Sequence, residues 1–454
     1  MGCFYLFLDG NSLGIYLNTS DQALAQNSVS YKTMSLMSVI YFLLFPVSST
    51  VLPYASGAVI ALIISSSVLL WLFPFGKNRL YNHDERLFYF SVSFMVFVFI
   101  LVTLLSGMDY LGLKKLAKFV YILMVIPIYV FFRTIRINQA WLWYGLVIGA
   151  VLSGIIGIYE VVNDIYKPGY EGRAKGATHP IIYGNLALIM GVMALSGWTW
   201  FKEQSRLQTS LPVVAVLSGT LASFLSHSRG GWLAIPFFGL IFIWFAWSRV
   251  SKLKIFLSVL ALLAVLTLAY FTPQTGIKNK VEVTAHNVQQ YFTDGVAGRY
   301  HRTSIGSRFE MWQASWHIFI NNPLLGVGWG NYQKNANELV EKGVRNNSAS
   351  KWDHPHNQFL SAMVSGGILA LCAILLLFLL PIKLFYSACK SAERTEDVQR
   401  MALAGLVLMV GFAIFNLSES LLERSRPISF FIFYLGVFMA GIRSTSGEIT
   451  NHRL

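Results

Sequence analysis

Two histidines that stand two positions apart are the residues in this sequence best suited to proton transfer. His354 and His356 lie in the stretch KWDHPHNQFL, where Asp353 and Asn357 flank them. Histidine accepts a proton near neutral pH without a large shift of its pKa. A neighbouring carboxylate and amide can orient its imidazole. The cluster is therefore a candidate general base with its supporting groups.

Two other interpretations of this cluster remain open. Asp353, His354 and Asn357 are candidates to cap and start a helix. A His-x-His pair can also bind zinc, but the stretch has no cysteine and no third ligand at a recognisable spacing. We therefore predict no metal ion and no cofactor.

Arginines in polar segments form the second group with recognisable chemistry. Arg173 lies in EGRAKGATHP together with Lys175, Arg229 lies in SHSRGGWLA, and Arg308 follows in SRFEMW. A guanidinium group keeps its charge and presents a planar fork that matches phosphate oxygens. The two glycines after Arg229 either allow close approach of the backbone to a bulky ligand or serve a helix junction.

The composition shows where these residues must act. The chain has 454 residues, of which 55% are hydrophobic and 12% are charged, about half the charged share of a soluble protein. Apolar blocks of about 17–25 residues alternate with short polar stretches, a length that suits helices crossing a membrane. Three cysteines are too few for a disulfide framework. We predict an all-α polytopic membrane protein and exclude soluble enzymes, disordered chains and disulfide-rich secreted domains.

The apolar blocks predict about twelve transmembrane helices. We place them near 34–50, 53–74, 87–107, 114–132, 140–160, 180–201, 208–226, 231–247, 255–271, 357–386, 401–418 and 427–442. The predicted organisation is a cytoplasmic tail (1–33), nine spans (34–271), a large periplasmic loop (272–356), three spans (357–442) and a second tail (443–454).

Loop charges predict the orientation of these spans. The 35 basic and 21 acidic side chains give a net charge of +14, and alternate loops are plainly basic. Cytoplasmic loops collect Lys and Arg, so the charge does not indicate a nucleic-acid partner. Arg173, Arg229 and Arg308 then lie on the outer side, together with Arg424 and Arg426. Cations placed there suggest a shared ligand that carries phosphate at membrane depth.

The outer loop at 272–356 is much longer than most connections and shows signs of order. Ser307 and Glu310 form a capping-box pattern. Aromatic and apolar residues then recur at helical spacing: Phe309, Trp312, Trp316, Phe319 and Ile320. This pattern predicts an amphipathic helix that starts at Ser307 and lies in the membrane interface.

Four stretches of this sequence resemble the O-antigen ligase family of polytopic membrane glycosyltransferases. They are RAKGATHPIIYG from Arg173, SRGGWLA from Ser228, RFEMWQASWHIFINNPLLGVGWGNY from Arg308, and HPHNQFL from His354. Together they span roughly residues 170–365, and the outer loop stands where the family carries its periplasmic loop.

The resemblance implies an activity and roles for individual residues. It implies metal-independent, inverting transfer of a glycan from undecaprenyl pyrophosphate to a sugar hydroxyl of lipid A–core, at the periplasmic face of the bacterial inner membrane. Arg173, Arg229 and Arg308 would bind the pyrophosphate, His356 would be the base and His354 its support. The two histidines could exchange roles. Lys175, Asp353, Asn357 and His179 are less securely placed.

Rival functions remain within and outside this family. An O-antigen polymerase, or a ligase that modifies serine or threonine of a protein, would use similar arginines and a similar histidine. A transporter of an anionic or lipid-linked substrate belongs to a different class. Transporters place charges or broken helices near the bilayer midplane. The polar residues of this sequence gather at one face, which favours an enzyme.

Overall fold

The fold is helical throughout the part of the chain that the structure describes. It is a computed structural model that describes residues 29–52, several positions between 57 and 65, and residues 82–135, 137–163, 172–272, 277–293, 298–391 and 393–443. No strand occurs in these ranges. The predicted tails at 1–33 and 443–454 and the predicted span at 53–74 lie largely outside them.

Seventeen helices can be assigned in the described ranges. The first half of the chain holds α1 (Val29–Thr50), α2 (His83–Leu105), α3 (Tyr110–Val120), α4 (Val125–Thr134), α5 (Gln139–Val162), α6 (Pro180–Ser196), α7 (Trp198–Gln204), α8 (Leu211–Leu225), α9 (Arg229–Trp232) and α10 (Ala234–Ala246). The second half holds α11 (Lys252–Phe271), α12 (Ile277–Thr293), α13 (Ser304–Asn321), α14 (Tyr332–Glu341), α15 (Gln358–Lys390), α16 (Glu396–Phe415) and α17 (Ser425–Gly441).

These helices confirm the predicted class of an all-α membrane protein. Eight helical segments of the described chain are long and apolar enough to cross a membrane, and α6 with α7 forms a ninth if the pair, bent by 56°, counts as one span. Helices α3 and α4 join into one such segment, as do α9 and α10. Helix α17 is apolar but shorter, at 17 residues. The count of twelve spans stays a prediction.

The centre of the bundle is formed by α6, α16 and α17. Nearly every side chain of these three helices is buried against protein. Few of the described side chains of α10 and α11 are buried, so these helices lie at the periphery. The apolar outer surfaces of such helices would be costly to expose to water and suit a lipid solvent.

Helix α15 is interrupted at Gly366 and Gly367, and the outer loop packs against it there. Gly367 has a φ of +62°, and a Cβ atom there would lie 2.3 Å from the carbonyl carbon of Leu324. The segment PLLGVGWG, from Pro323 to Gly330, runs along the break and supplies backbone partners. The amide of Ile368 donates to the Pro323 carbonyl at 2.8 Å, and the amide of Val327 donates to the Val364 carbonyl at 2.9 Å. The backbone groups freed by the break are thus satisfied.

The amphipathic helix of the outer loop is present, but its predicted start was wrong. Helix α13 begins at Ser304, three residues before Ser307, and its cap is the side chain of Thr303, which accepts from the amide of Gly306 at 3.1 Å. One face of α13 packs on α14, the next helix of the loop. The opposite face leaves Trp316 57% exposed and Ile320 51% exposed. Glu310, the expected partner in the capping box, is buried instead.

Candidate functional site

Three arginines from separate parts of the chain line one cavity. Arg173, Arg229 and Arg308 lie in the α5–α6 loop, at the start of α9 and in the first turns of α13. Together with main-chain and hydroxyl groups they enclose about 230 Å³, and the remaining lining residues are Ile181, His227, Ser228, Gly230, Ser304 and Ser418. The sequence predicted these arginines as one binding group, and the structure brings them together.

Arg173 and Arg229 each donate a hydrogen bond to a residue more than fifty positions away in the sequence. Arg173 donates from Nε to the carbonyl of Ser226 at 3.0 Å. Arg229 donates from Nη1 to the hydroxyl of Thr284, on α12, at 2.6 Å. Burial and the neighbouring Arg229 guanidinium lower the pKa of Arg308, against the opposing effect of Glu419. The cavity thus gathers three guanidinium groups, which is an arrangement that an anion would neutralise.

The backbone on both sides of this cavity is tightly folded. A Cβ at Gly230 would lie 2.1 Å from Oγ of Ser418, and a Cβ at Gly231 would lie 2.2 Å from Oδ1 of Asn185. Both glycines allow close packing at the junction between helices, and Gly230 also lines the cavity, so both interpretations offered from the sequence stand. His227, in the cavity wall, has a φ of +56°, which is uncommon for a residue with a Cβ.

The second part of the site joins the two predicted histidines through a carboxylate. Glu419, in the turn between α16 and α17, lies with Oε2 3.0 Å from Nδ1 of His356 and with Oε1 3.5 Å from Nε2 of His354. The centroids of the two imidazole rings are 4.5 Å apart. His356 has a φ of +49°, a second uncommon backbone conformation at the site. One buried carboxylate thus contacts both rings, with a hydrogen bond to His356 and a longer ion-pair contact to His354.

A chain of charges continues from His354 to α3. Oδ1 of Asp353 lies 2.6 Å from Nδ1 of His354, and Oδ2 of Asp353 lies 3.4 Å from Nζ of Lys115. Lys115 also pairs with the buried carboxylate of Glu423 at 3.0 Å. Both nitrogens of His354 therefore face carboxylates.

The two histidines differ in their surroundings, because His354 contacts two carboxylates and His356 contacts Glu419. Burial alone would lower the pKa of His354, but its contacts with Asp353 and Glu419 outweigh burial and raise the pKa to about 9. Burial would raise the pKa of Glu419, but the two imidazoles outweigh it and hold that pKa well below its usual range. At neutral pH His354 is therefore an imidazolium paired with carboxylates, which makes it a poor proton acceptor.

The arginine cavity and the histidine pair are neighbours. Ser418, in the cavity wall, directly precedes Glu419. His179 caps α6 through its ring, which accepts from the amide of Ile181 at 3.3 Å. Burial lowers the pKa of this histidine, and the charges that act on it come from both groups: Glu419, Arg173, Arg424 and His356.

The supporting residues predicted from the sequence differ in their contacts with the site. Asp353 contacts His354, as expected of a supporting carboxylate. Asn357 caps α15 by accepting from the amides of Phe359 and Leu360 at 3.0 and 3.1 Å, so its amide serves the helix. Lys175 is not among the residues that line the cavity. Its backbone amide instead donates to Glu160 at 2.8 Å.

Sequence reasoning missed the carboxylates that organise the site. Glu419 and Glu423 follow His356 by more than sixty residues, so no local spacing connects them. Glu160 accepts from the amides of Lys175 and Gly176 at 2.8 and 2.9 Å and so fixes the loop that carries Arg173. The available signal was that these acids fall near the outer ends of apolar spans, where few acids occur.

His354, His356 and Glu419 could also contact a metal ion, because one ligand atom from each lies within 4.8 Å of the others. Nη2 of Arg424 lies 3.6 Å from Oε1 of Glu419. A cation bound there would be close to a guanidinium and to the imidazolium of His354. This charge arrangement favours an anionic substrate beside the cluster over a metal ion within it.

A bundle of membrane-length helices that carries an arginine-lined cavity beside a pair of imidazoles is suited to an anionic substrate and to proton transfer. Comparison with known proteins adds a match to one family domain. Residues 213–378 match the family described as O-antigen ligase. The chain carries this domain, so the resemblance seen in its motifs is confirmed, and its activity is of the glycosyltransferase type.

Two relatives extend this comparison. An uncharacterised protein of Haemophilus influenzae is 23% identical over 414 residues, which cover 90% of this chain and 98% of that protein. A ComP-specific O-oligosaccharyltransferase of Acinetobacter baylyi is 23% identical over 317 residues, which cover 67% of this chain and 49% of that protein. The similarity to the second relative extends over half of its length only.

Proposed function

We propose that this protein is an O-antigen ligase that moves a glycan from undecaprenyl pyrophosphate to a sugar hydroxyl of lipid A–core. The observation that carries the proposal is that Arg173, Arg229 and Arg308 line one cavity next to His356. The reaction takes place on the periplasmic side of the bacterial inner membrane, within a multi-pass protein surrounded by membrane lipids.

The arginines act on the leaving group. As the bond between the anomeric carbon and the pyrophosphate oxygen breaks, negative charge develops on the pyrophosphate. Fixed guanidinium groups stabilise that charge without reorganising during the reaction. Three cations in one cavity take the place that a metal ion fills in other pyrophosphate-releasing enzymes, which supports a metal-independent reaction.

His356 is the general base. Glu419 engages its Nδ1, so Nε2 is left to take the proton from the acceptor hydroxyl as the oxygen attacks the anomeric carbon. The pKa of about 9 at His354 supports this assignment of roles, because that ring already carries its proton at neutral pH. One displacement with one base inverts the anomeric centre, whereas retention would require a carboxylate nucleophile close to the bond.

A second candidate, protein O-glycosylation, is favoured by the Acinetobacter baylyi relative, whose name describes an O-oligosaccharyltransferase. The donor site would be the same, and only the acceptor would change from a sugar to a protein. An O-antigen polymerase would likewise share the donor site. A transporter is disfavoured because the described charges of the site gather at one end of the bundle.

Deleting the protein separates these candidates. For a ligase we expect long glycans to accumulate on the carrier while lipid A–core stays unmodified. A polymerase loss would instead leave single units on lipid A–core, and a protein transferase loss would leave lipopolysaccharide unchanged. Complementation with His356→Ala should fail, although the variant reaches the membrane in normal amount. Full ligation by that variant would refute the base assignment.

The metal-independent mechanism has its own test. Activity of the purified enzyme should be unchanged after treatment with EDTA, because the three arginines supply the positive charge at the leaving group. A matched sample with magnesium should behave identically. Activity that disappears with EDTA and returns with a divalent metal would contradict the mechanism.

A further inference from the structure

A tryptophan beside the proposed base is open to solvent. Trp352 is 47% exposed, although burying such a side chain would stabilise the fold by roughly 2–3 kcal/mol. It stands directly before Asp353, in the segment that carries both histidines. An exposed tryptophan at the outer end of a membrane bundle has two ordinary explanations: contact with the membrane interface or contact with a ligand.

Its geometry favours contact with a ligand at the site. The centroid of the Trp352 ring lies 5.6 Å from that of His356, and the two planes meet at 82°. The ammonium group of Lys351 lies 5.6 Å from the same indole centroid, and nearly half of the side chain still remains open to a ligand. Trp352 is not among the residues that line the arginine cavity, so its open surface borders the imidazole without being part of the pyrophosphate pocket.

The backbone that carries Trp352 is anchored on the side of the histidines. The carbonyl of Asp353 accepts from Nζ of Lys115 at 3.2 Å, and the carbonyl of Pro355 accepts from Nε1 of Trp312 at 3.1 Å. These two contacts join the segment to α3 and to α13. An aromatic side chain on a backbone anchored in this way can be used by a ligand at low entropic cost.

From this geometry we infer that Trp352 is the platform on which the accepting sugar ring stacks. The inference rests on the proposed glycosyl transfer. A pyranose ring has a face of C–H groups that packs on an aromatic surface, while its hydroxyls point outward to polar groups. Stacking beside His356 holds one hydroxyl within reach of the base. The reacting groups are then oriented before the reaction, which lowers its entropic barrier.

The experiment compares two tryptophans with similar exposure. Trp352→Ala should raise the KM for lipid A–core about tenfold, equivalent to about 1.4 kcal/mol, and change the KM for the carrier-linked glycan less than twofold. Trp352→Phe should restore most of the loss because it keeps an aromatic face. Trp316→Ala is the matched control, since Trp316 is 57% exposed on α13 and makes no described contact with the histidines.

Three results would overturn the platform. They are unchanged acceptor KM in Trp352→Ala, a rise confined to the donor KM, and an equal effect of Trp316→Ala, which would indicate a shared membrane contact. Thermal unfolding of each variant in the same detergent checks that it is folded. Activity of His356→Ala reports on the proposed function separately: if that variant is inactive while Trp352→Ala is normal, only the platform fails.

Discussion

At the scale of single residues, the site combines three arginines of one cavity with a carboxylate, Glu419, that contacts two imidazoles. Arg173 and Arg229 were recognisable because arginine is uncommon in short outer loops, and Arg308 because it begins the amphipathic pattern of the long outer loop. Glu419 was not recognisable from the sequence, because its role depends on its contacts with two imidazoles that lie far from it along the chain. Residue types therefore predict which chemistry is available, whereas contacts across more than sixty residues need the three-dimensional structure.

The paired state of His354 predicts a dependence of stability on pH. A pKa raised from 6.5 to about 9 corresponds to up to about 3 kcal/mol of stabilisation. Because the folded pKa lies above the unfolded one, this stabilisation is complete below about pH 6.5 and is lost as the pH rises through about 9. We expect His354→Gln to lower the unfolding temperature strongly at pH 6 and only slightly at pH 10.

The comparison between wild type and variant at each pH removes the general effect of alkali on the protein. A half-buried histidine of the outer loop, His317, provides the control, and the difference between pH 6 and pH 10 should be larger for His354→Gln than for His317→Gln. Equal destabilisation by His354→Gln at pH 6 and pH 10 would mean that this imidazole is neutral in the folded protein.

At the scale of elements, periodicity and length predicted the helices well and their internal irregularities poorly. The span predicted at 357–386 corresponds to α15, but nothing in its hydropathy indicates the break at Gly366 and Gly367. From its sequence, the segment from Pro323 to Gly330 is a glycine-rich loop. In the structure its backbone forms hydrogen bonds with the residues around the break. Such pairing leaves no periodic signal because it depends on backbone groups and not on side chains.

Gly367→Ala tests the importance of this break. Gly367 combines a φ of +62° with a ψ of −155°, a region that is open almost only to glycine, and an added Cβ would meet the backbone of Leu324. Gly343 has a similar φ of +69° with no atom within 4 Å of an added Cβ. Gly343→Ala should cost about 1–2 kcal/mol, and Gly367→Ala should cost at least twice as much.

The measurement is the unfolding temperature of both variants in the same detergent, with ligation activity recorded in parallel. We expect Gly367→Ala to lose activity as well, because the break holds the outer loop that carries Arg308 near the membrane segment. Equal behaviour of the two alanine variants would show that the segment from Pro323 to Gly330 yields easily and does not position the site.

At the scale of the whole molecule, the helices divide the described charges between two ends. The residues of the site lie at the ends of α5, α6, α8, α9, α15, α16 and α17 that face the outer loop. Cations at the opposite end have partners there, such as Arg400 with Glu203 at 2.9 Å and Arg249 with the carbonyl of Cys389 at 3.3 Å. The orientation predicted from loop charge would place the site outside the cytoplasm.

Labelling of single cysteines tests that orientation. In a variant whose three cysteines are replaced by serine, Lys342→Cys should react with a membrane-impermeant maleimide in intact spheroplasts. Glu393→Cys, equally exposed at the other end of the bundle, should react only after the membrane is permeabilised. The reverse pattern would place the site in the cytoplasm and exclude lipid A–core as its acceptor.

The backbone pairing at the break in α15 also limits how this protein can be recombined with its relatives. The loop segment at 323–330 and the membrane segment at 364–368 are joined by backbone hydrogen bonds, so neither folds independently of the other. A chimaera that imports a foreign loop to change the acceptor has to import both pieces from the same parent. Loop exchange confined to 272–356 should yield misassembled protein even when every catalytic side chain is retained.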